Sequence, residues 1–100
     1  MSNSNNDSVS AKEVVFKYAG EGCVVPKDVI IVLFHPSVTE VEDEAFKYCR
    51  HLTKVVFNDG LQKIGENAFY GCTSLSSIVL PSTVTEIGGY AFFGCSVESR

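Results

Sequence analysis

Few residues in this chain of 100 could do chemistry, and their spacing decides what kind. Cysteines stand at Cys49, Cys72 and Cys95, and His51 lies two residues beyond Cys49. A thiol beside an imidazole suggests a nucleophile and its base. That chemistry also needs an orienting group and an oxyanion site at fixed geometry, and nothing in the sequence specifies either. Zinc frameworks pair their ligands at short spacing, as in Cys-x₂₋₄-Cys, and no such pair occurs. His35 precedes Pro36 in a turn, and Cys23 stands beside Gly22 and Val24 with no evident role. The acidic run Glu42-Asp43-Glu44 offers too few converging oxygens for a cation and suits the start of a short turn instead. No catalytic, cofactor or metal site is therefore expected, and the chain reads as a non-enzyme.

The cysteines acquire a different meaning from the elements that carry them. Ala45-Phe46, Ala68-Phe69 and Ala91-Phe92 recur every 23 residues, in step with Cys49, Cys72 and Cys95 and with Val41, Ile64 and Ile87. When residues 38–57 are set over 61–80, nine of the ten apolar residues of each block share a column. Random placement would align about five, so the chain is an internal repeat. Ile78 and Leu80 alternate at strand spacing, whereas Leu61, Ile64, Ala68 and Cys72 recur at three to four. Gly65 and Gly71 interrupt that second stretch, so one helical or 3₁₀ turn is expected near 66–70. Strands are expected at 30–34, 54–57 and 77–80, pairing in parallel, with a weaker ladder from 38–41, 61–64 and 84–87. Equivalent columns then stack. Phe46, Phe69 and Phe92 form an aromatic spine, and Val32, Val55 and Ile78 an aliphatic one. On this reading the cysteine ladder is a column of small buried hydrophobes rather than a site.

The stretch Ile64-Gly-Glu-Asn-Ala-Phe-Tyr-Gly-Cys-Thr-Ser-Leu-Ser-Ser-Ile-Val-Leu-Pro-Ser-Thr-Val-Thr-Glu-Ile87 resembles the BspA-like (Treponema-type) leucine-rich repeat. The resemblance covers about residues 28–95. It implies a curved parallel-strand solenoid used for protein binding, or for adhesion in surface-exposed members, with no common catalytic site. The expected fold is mainly β, a short right-handed parallel-β solenoid of leucine-rich-repeat type with 23-residue units. Residues 28–100 hold about two and a half units, the last truncated. Residues 11–27 are expected to supply a capping strand, Glu13–Tyr18, and a glycine-rich turn, because a shift of one unit does not superpose Phe16 and Tyr18 on the array. A polar tail, residues 1–10, is expected to be disordered.

Composition limits the partners. With a formal charge of −4 and a pI near 5.0, the chain lacks the clustered cations that nucleic acid demands. No apolar run reaches the length of a membrane span. Met1–Ser8 lacks a basic and apolar signal pattern, which favours a cytoplasmic location. A protein partner of unspecified identity is expected. The candidate binding column is Leu33, Val56 and Val79, which alternates with the buried strand residues and so projects from the opposite face, rimmed by Lys54 and Asn58 next to Ile31 and His35. The stripe has two other readings, simple strand preference or packing under the N-terminal strand. In the last unit the column of Leu52 and Leu75 falls at Glu98. Strand 77–80 is then left as an open edge, so the alternative function is a fragment or structural unit of a longer array, self-associating through that edge. Tyr70 and Phe93 share a column with Lys47 at the outside of the turn, either contacting a ligand or covering Phe69 and Phe92.

Overall fold

The computed structural model describes residues 14–96. The capping strand's first residue, the tail over residues 1–10 and the Glu98 column lie outside the described residues. Alternating side chains form short strands: β1 (Val15–Tyr18), β2 (Ile31–Phe34), β3 (Glu40–Val41), β4 (Lys54–Val56), β5 (Lys63–Ile64) and β6 (Glu86–Ile87). They make two three-stranded sheets, ordered β1-β2-β4 and β3-β5-β6, and every pairing is parallel. In both sheets the repeat sets the register. Val32 pairs with Val55, Val41 with Ile64, and Ile64 with Ile87, each one 23-residue step apart. β1 meets β2 at a different offset, Val15 against Ile31 and Tyr18 against Phe34, so it adds a strand without repeating the unit.

Buried columns meet between the two sheets. Phe46 and Phe69 stack with centroids 5.0 Å apart and 9° between planes, and Phe69 and Phe92 follow at 5.3 Å and 4°. Tyr18, from β1, seats its ring 5.1 Å from Phe46 and 5.0 Å from Phe34, extending the spine at its N-terminal end. Its hydroxyl accepts a hydrogen bond from the Glu42 N–H, and burial pushes its pKa up. No polar or charged residue is buried among those described, so the interior is held by apolar contact.

Two expectations are corrected. No helix forms among the described residues, and the 43–48 and 66–71 segments are chains of turns. The cause is how the N–H groups are shared. Ala45, Lys47 and Cys49 donate three residues back, to Glu42, Glu44 and Phe46, whereas Glu44, Phe46 and Tyr48 donate to Glu66, Ala68 and Tyr70 of the next unit. One unit later the pattern repeats, with Asn67, Phe69 and Gly71 donating to Gly89, Ala91 and Phe93. An α-helix needs consecutive N–H groups for its own carbonyls, and here alternate ones are given away. This alternation puts two columns in the left-handed region: Glu44, Asn67 and Tyr90 (φ 62°, 58°, 59°), and Tyr48, Gly71 and Gly94 (φ 62°, 75°, 83°). Gly65 serves a separate purpose, since a Cβ there would lie 2.7 Å from the Val41 carbonyl oxygen that its N–H bonds.

The second correction concerns residues 77–80. Ser77 alone bridges to Lys54, and the segment beyond it is not a strand. Ile78 consequently does not join the Val32–Val55 ladder. Pro81 ends the segment and has no N–H to give a ladder. Among the described residues no strand lies on the segment's far side to add a second row of hydrogen bonds.

Candidate functional site

The outward face of the β1-β2-β4 sheet holds the column expected to bind. Lys17, Leu33 and Val56 are in register across its three strands. Leu33 is half-buried, Val56 is 43% exposed and Val79 81% exposed, so the stripe opens toward the C-terminal side. β1 lies beside β2 in the sheet and leaves the stripe uncovered. Where the 77–81 segment parts from β4, the face deepens into a groove of about 510 Å³ lined by Lys54, Val56, Asp59, Ser77, Val79 and Pro81, among others. The structure thus brings Lys54, Val56 and Val79 to one groove, with Leu33 beside it. Its walls are mainly apolar, with one cation and one carboxylate at the rim.

Asn58 is turned elsewhere. Its amide donates to the Val38 carbonyl at 2.7 Å and the Pro36 carbonyl at 3.2 Å, tying its unit to the preceding one. Its Oδ1 is buried without a partner. One unit later Thr83 does the same work, its hydroxyl donating to Leu61 at 2.6 Å and Asp59 at 2.8 Å. The sequence hides this equivalence because Asn58 and Thr83 stand in different columns. Asp59 and Ser77 in the groove were also unforeseen, since polar residues in turns carry no signal of facing a cleft.

The cysteine ladder is built into the interior. Cys49 and Cys72 are fully buried. The Cys72 thiol donates to the Phe46 carbonyl at 3.0 Å and that of Cys95 to the Phe69 carbonyl at 3.2 Å. Burial pushes the Cys49 thiol up, and contact with Cys95 together with burial pushes Cys72 up, so both stay protonated and poorly nucleophilic. All four cysteines are free thiols, and Cys23 accepts a hydrogen bond from the Ala19 N–H. His51 is exposed, and among the described residues the His35 ring bonds only within its own turn, to Ser37. Among the described residues no group of three potential ligands could hold a metal ion, and no helix is long and apolar enough to cross a membrane.

The turn face carries a second feature. Tyr48, Tyr70, Tyr90 and Phe93 form one cluster, with Tyr48, Tyr90 and Phe93 strongly exposed. Only Tyr70 and Phe93 were anticipated on this face. The signal for Tyr48 is its column, where the next two units place Gly71 and Gly94.

A family model described as "BspA type Leucine rich repeat region (6 copies)" matches residues 27–100. Neither a curated protein nor a solved structure gives a significant match.

Proposed function

Because the chain belongs to the BspA-type leucine-rich repeat family, we propose that it is a non-catalytic scaffold for protein interaction, binding through the strand face at Leu33, Val56, Val79 and Lys54. The sheets read as the successive faces of a short solenoid, in which each unit completes the apolar face of its neighbour. The observation that carries the reading is the groove beside β4, where Val56 and Val79 leave apolar surface open. Lys54 and Asp59 at its rim would orient a partner, while Asn58 acts on the scaffold itself. Replacing Val56 with Lys tests the assignment. It should abolish capture of a partner identified by cross-linking while leaving the thermal midpoint within a few degrees, because Val56 is half-exposed. Unchanged capture would remove the face from consideration.

A second reading is favoured by the exposure of the last unit. Ile87 is 49% exposed, whereas its column-mates Val41 and Ile64 are fully buried. In this reading the chain is a structural unit that associates through its C-terminal edge. Sedimentation equilibrium across a concentration series separates the two, since a folded monomer at all dilutions excludes self-association.

A further inference from the structure

Building on the edge-association reading, we propose that the C-terminal face of the array closes on the same face of a second copy, in a two-fold dimer. Along the array each unit offers the next one two kinds of backbone group. Turn N–H groups point forward: Glu44, Phe46 and Tyr48 donate to Glu66, Ala68 and Tyr70, and Asn67, Phe69 and Gly71 to Gly89, Ala91 and Phe93. Strand carbonyls point forward as well. Those of Thr39 and Val41 accept from Gln62 and Gly65, and those of Gln62 and Ile64 from Thr85 and Gly88. In the last unit the same columns are unmet. The N–H groups of Tyr90, Phe92 and Gly94 and the carbonyls of Thr85 and Ile87 have no partner among the described residues. Beside them Ile87 is half-exposed, and the Phe92 ring stacks on one side only, against Phe69. Apolar surface framed by unpaired main-chain donors and acceptors calls for a polypeptide that supplies the complementary set.

The opposite end of the array cannot supply it, because it is occupied. Tyr18 places its ring on Phe46, where a preceding unit would place a phenylalanine. Its hydroxyl takes the Glu42 N–H, the column-mate of the Gly65 and Gly88 N–H groups that bond strand carbonyls. The Lys27 ammonium donates to the Lys47 carbonyl, whose column-mates Tyr70 and Phe93 accept turn N–H groups. Head-to-tail stacking would displace both caps. It would also set Glu40 of one copy against Glu86 of the other, in a column that otherwise alternates in sign as Glu40, Lys63 and Glu86. The C-terminal face, by contrast, complements itself. Its acceptors lie on β6 and its donors on the turn segment that follows, with Gly88 between them. A two-fold axis near Gly88 lays β6 of each copy over the turn of the other, so that the Thr85 and Ile87 carbonyls meet the Phe92 and Tyr90 N–H groups and Ile87 covers Phe92. An isologous contact of this kind closes at two copies.

The test is sedimentation equilibrium of the full chain across a concentration series, with backbone amide exchange followed by NMR at low and high concentration. A species that stops at two copies is expected, with exchange at Tyr90 and Phe92 slowed in the dimer. Ile87→Lys sets an ammonium into the contact and should weaken the dimer by about tenfold or more, with the far-UV spectrum of the monomer unchanged. Lys27→Ala, at the other end, should leave the dimer as it is. If Ile87→Lys unfolds the chain, the exchange measurement on the unaltered protein decides alone. A monomer at every concentration overturns both this proposal and the edge-association reading. Open-ended growth, a dimer that survives Ile87→Lys, or one lost on Lys27→Ala overturns the two-fold closure while leaving self-association itself standing. So does a dimer in which Tyr90 and Phe92 exchange as fast as in the monomer.

Discussion

If the array is stabilised by contacts between neighbouring units, the cost of cutting one aromatic ring depends on how many neighbours that ring has. Phe69 is fully buried and stacks on both faces, against Phe46 at 5.0 Å and Phe92 at 5.3 Å, whereas Phe92 is partly buried and stacks on Phe69 alone. Removing a buried phenylalanine to alanine costs about 3–5 kcal/mol, and each aromatic pair adds about 0.5–1.5 kcal/mol beyond area. Phe69→Ala should fall near the top of that range, and Phe92→Ala near half of it. A total stability of about 5–15 kcal/mol is ordinary, so Phe69→Ala brings a protein at the lower end of that range close to unfolding. The measurable comparison is therefore Phe69→Leu with Phe92→Leu, each nearer in volume and about 1–1.5 kcal/mol at the inner site. In urea, with a slope of about 1–2 kcal/mol/M for a domain of this size, the inner variant should lose about 1 M of midpoint at unchanged slope. The outer variant should lose about half of that. Equal losses, or a larger one at Phe92, would refute the idea that stability is summed over unit-to-unit contacts.

Two other perturbations follow from particular hydrogen bonds and thiols. Asn58→Asp replaces a double donor with a carboxylate facing the Pro36 and Val38 carbonyls, so it should cost about 2–3 kcal/mol at neutral pH, whereas Asn58→Gln should recover part of the loss in thermal melts. Stability should also fall as pH rises above about 8.5, because unfolding frees Cys49 and Cys72 to ionise near the ordinary thiol pKa while the folded state keeps them protonated. The folded state then binds more protons than the unfolded one. Each thiol contributes up to about 1.4 kcal/mol per pH unit between its two pKa values, and Tyr18 joins above about pH 10. Urea midpoints from pH 7 to pH 10 check this, and Cys49→Ala with Cys72→Ala should flatten the profile.

The parts of this fold legible in the sequence are those governed by side-chain columns. A period of 23 places Val32 on Val55, Val41 on Ile64 and Phe46 on Phe69, and those are the contacts the structure makes. Backbone hydrogen bonding was not legible in the same way. Spacings of three to four at Ala68 and Cys72 are shared by a helix and by a chain of turns, and only the destination of alternate N–H groups distinguishes them. The missing strand at 77–80 has a similar origin: Ile78 and Leu80 alternate correctly, but ladder formation depends on neighbours and on Pro81. Within the candidate site, Lys54, Val56 and Val79 were readable from alternation. Asn58 was not, because its side chain serves the preceding unit's carbonyls.

The same accounting separates columns that build the array from columns left to vary. Phe46, Phe69 and Phe92, Cys72 and Cys95, and Gly65 and Gly88 all touch a neighbouring unit through a ring, a thiol or bare backbone, so each substitution there is felt by two units. The side chains of Glu40, Lys63 and Glu86 meet only through exposed ion pairs of 3.9 and 3.8 Å, which are worth little in water. The strand-face stripe and the turn-face aromatics belong with this second group, since neither Val79 nor Tyr90 fills a space the core requires. Large apolar groups at positions where the scaffold would accept lysine or glycine lower solubility, and in the case of Tyr90 also strain the backbone. The two sets sit on different faces of the array. That separation predicts that Val56→Lys and Tyr90→Gly act independently on stability, so the shift in urea midpoint of a double variant should equal the sum of the single shifts.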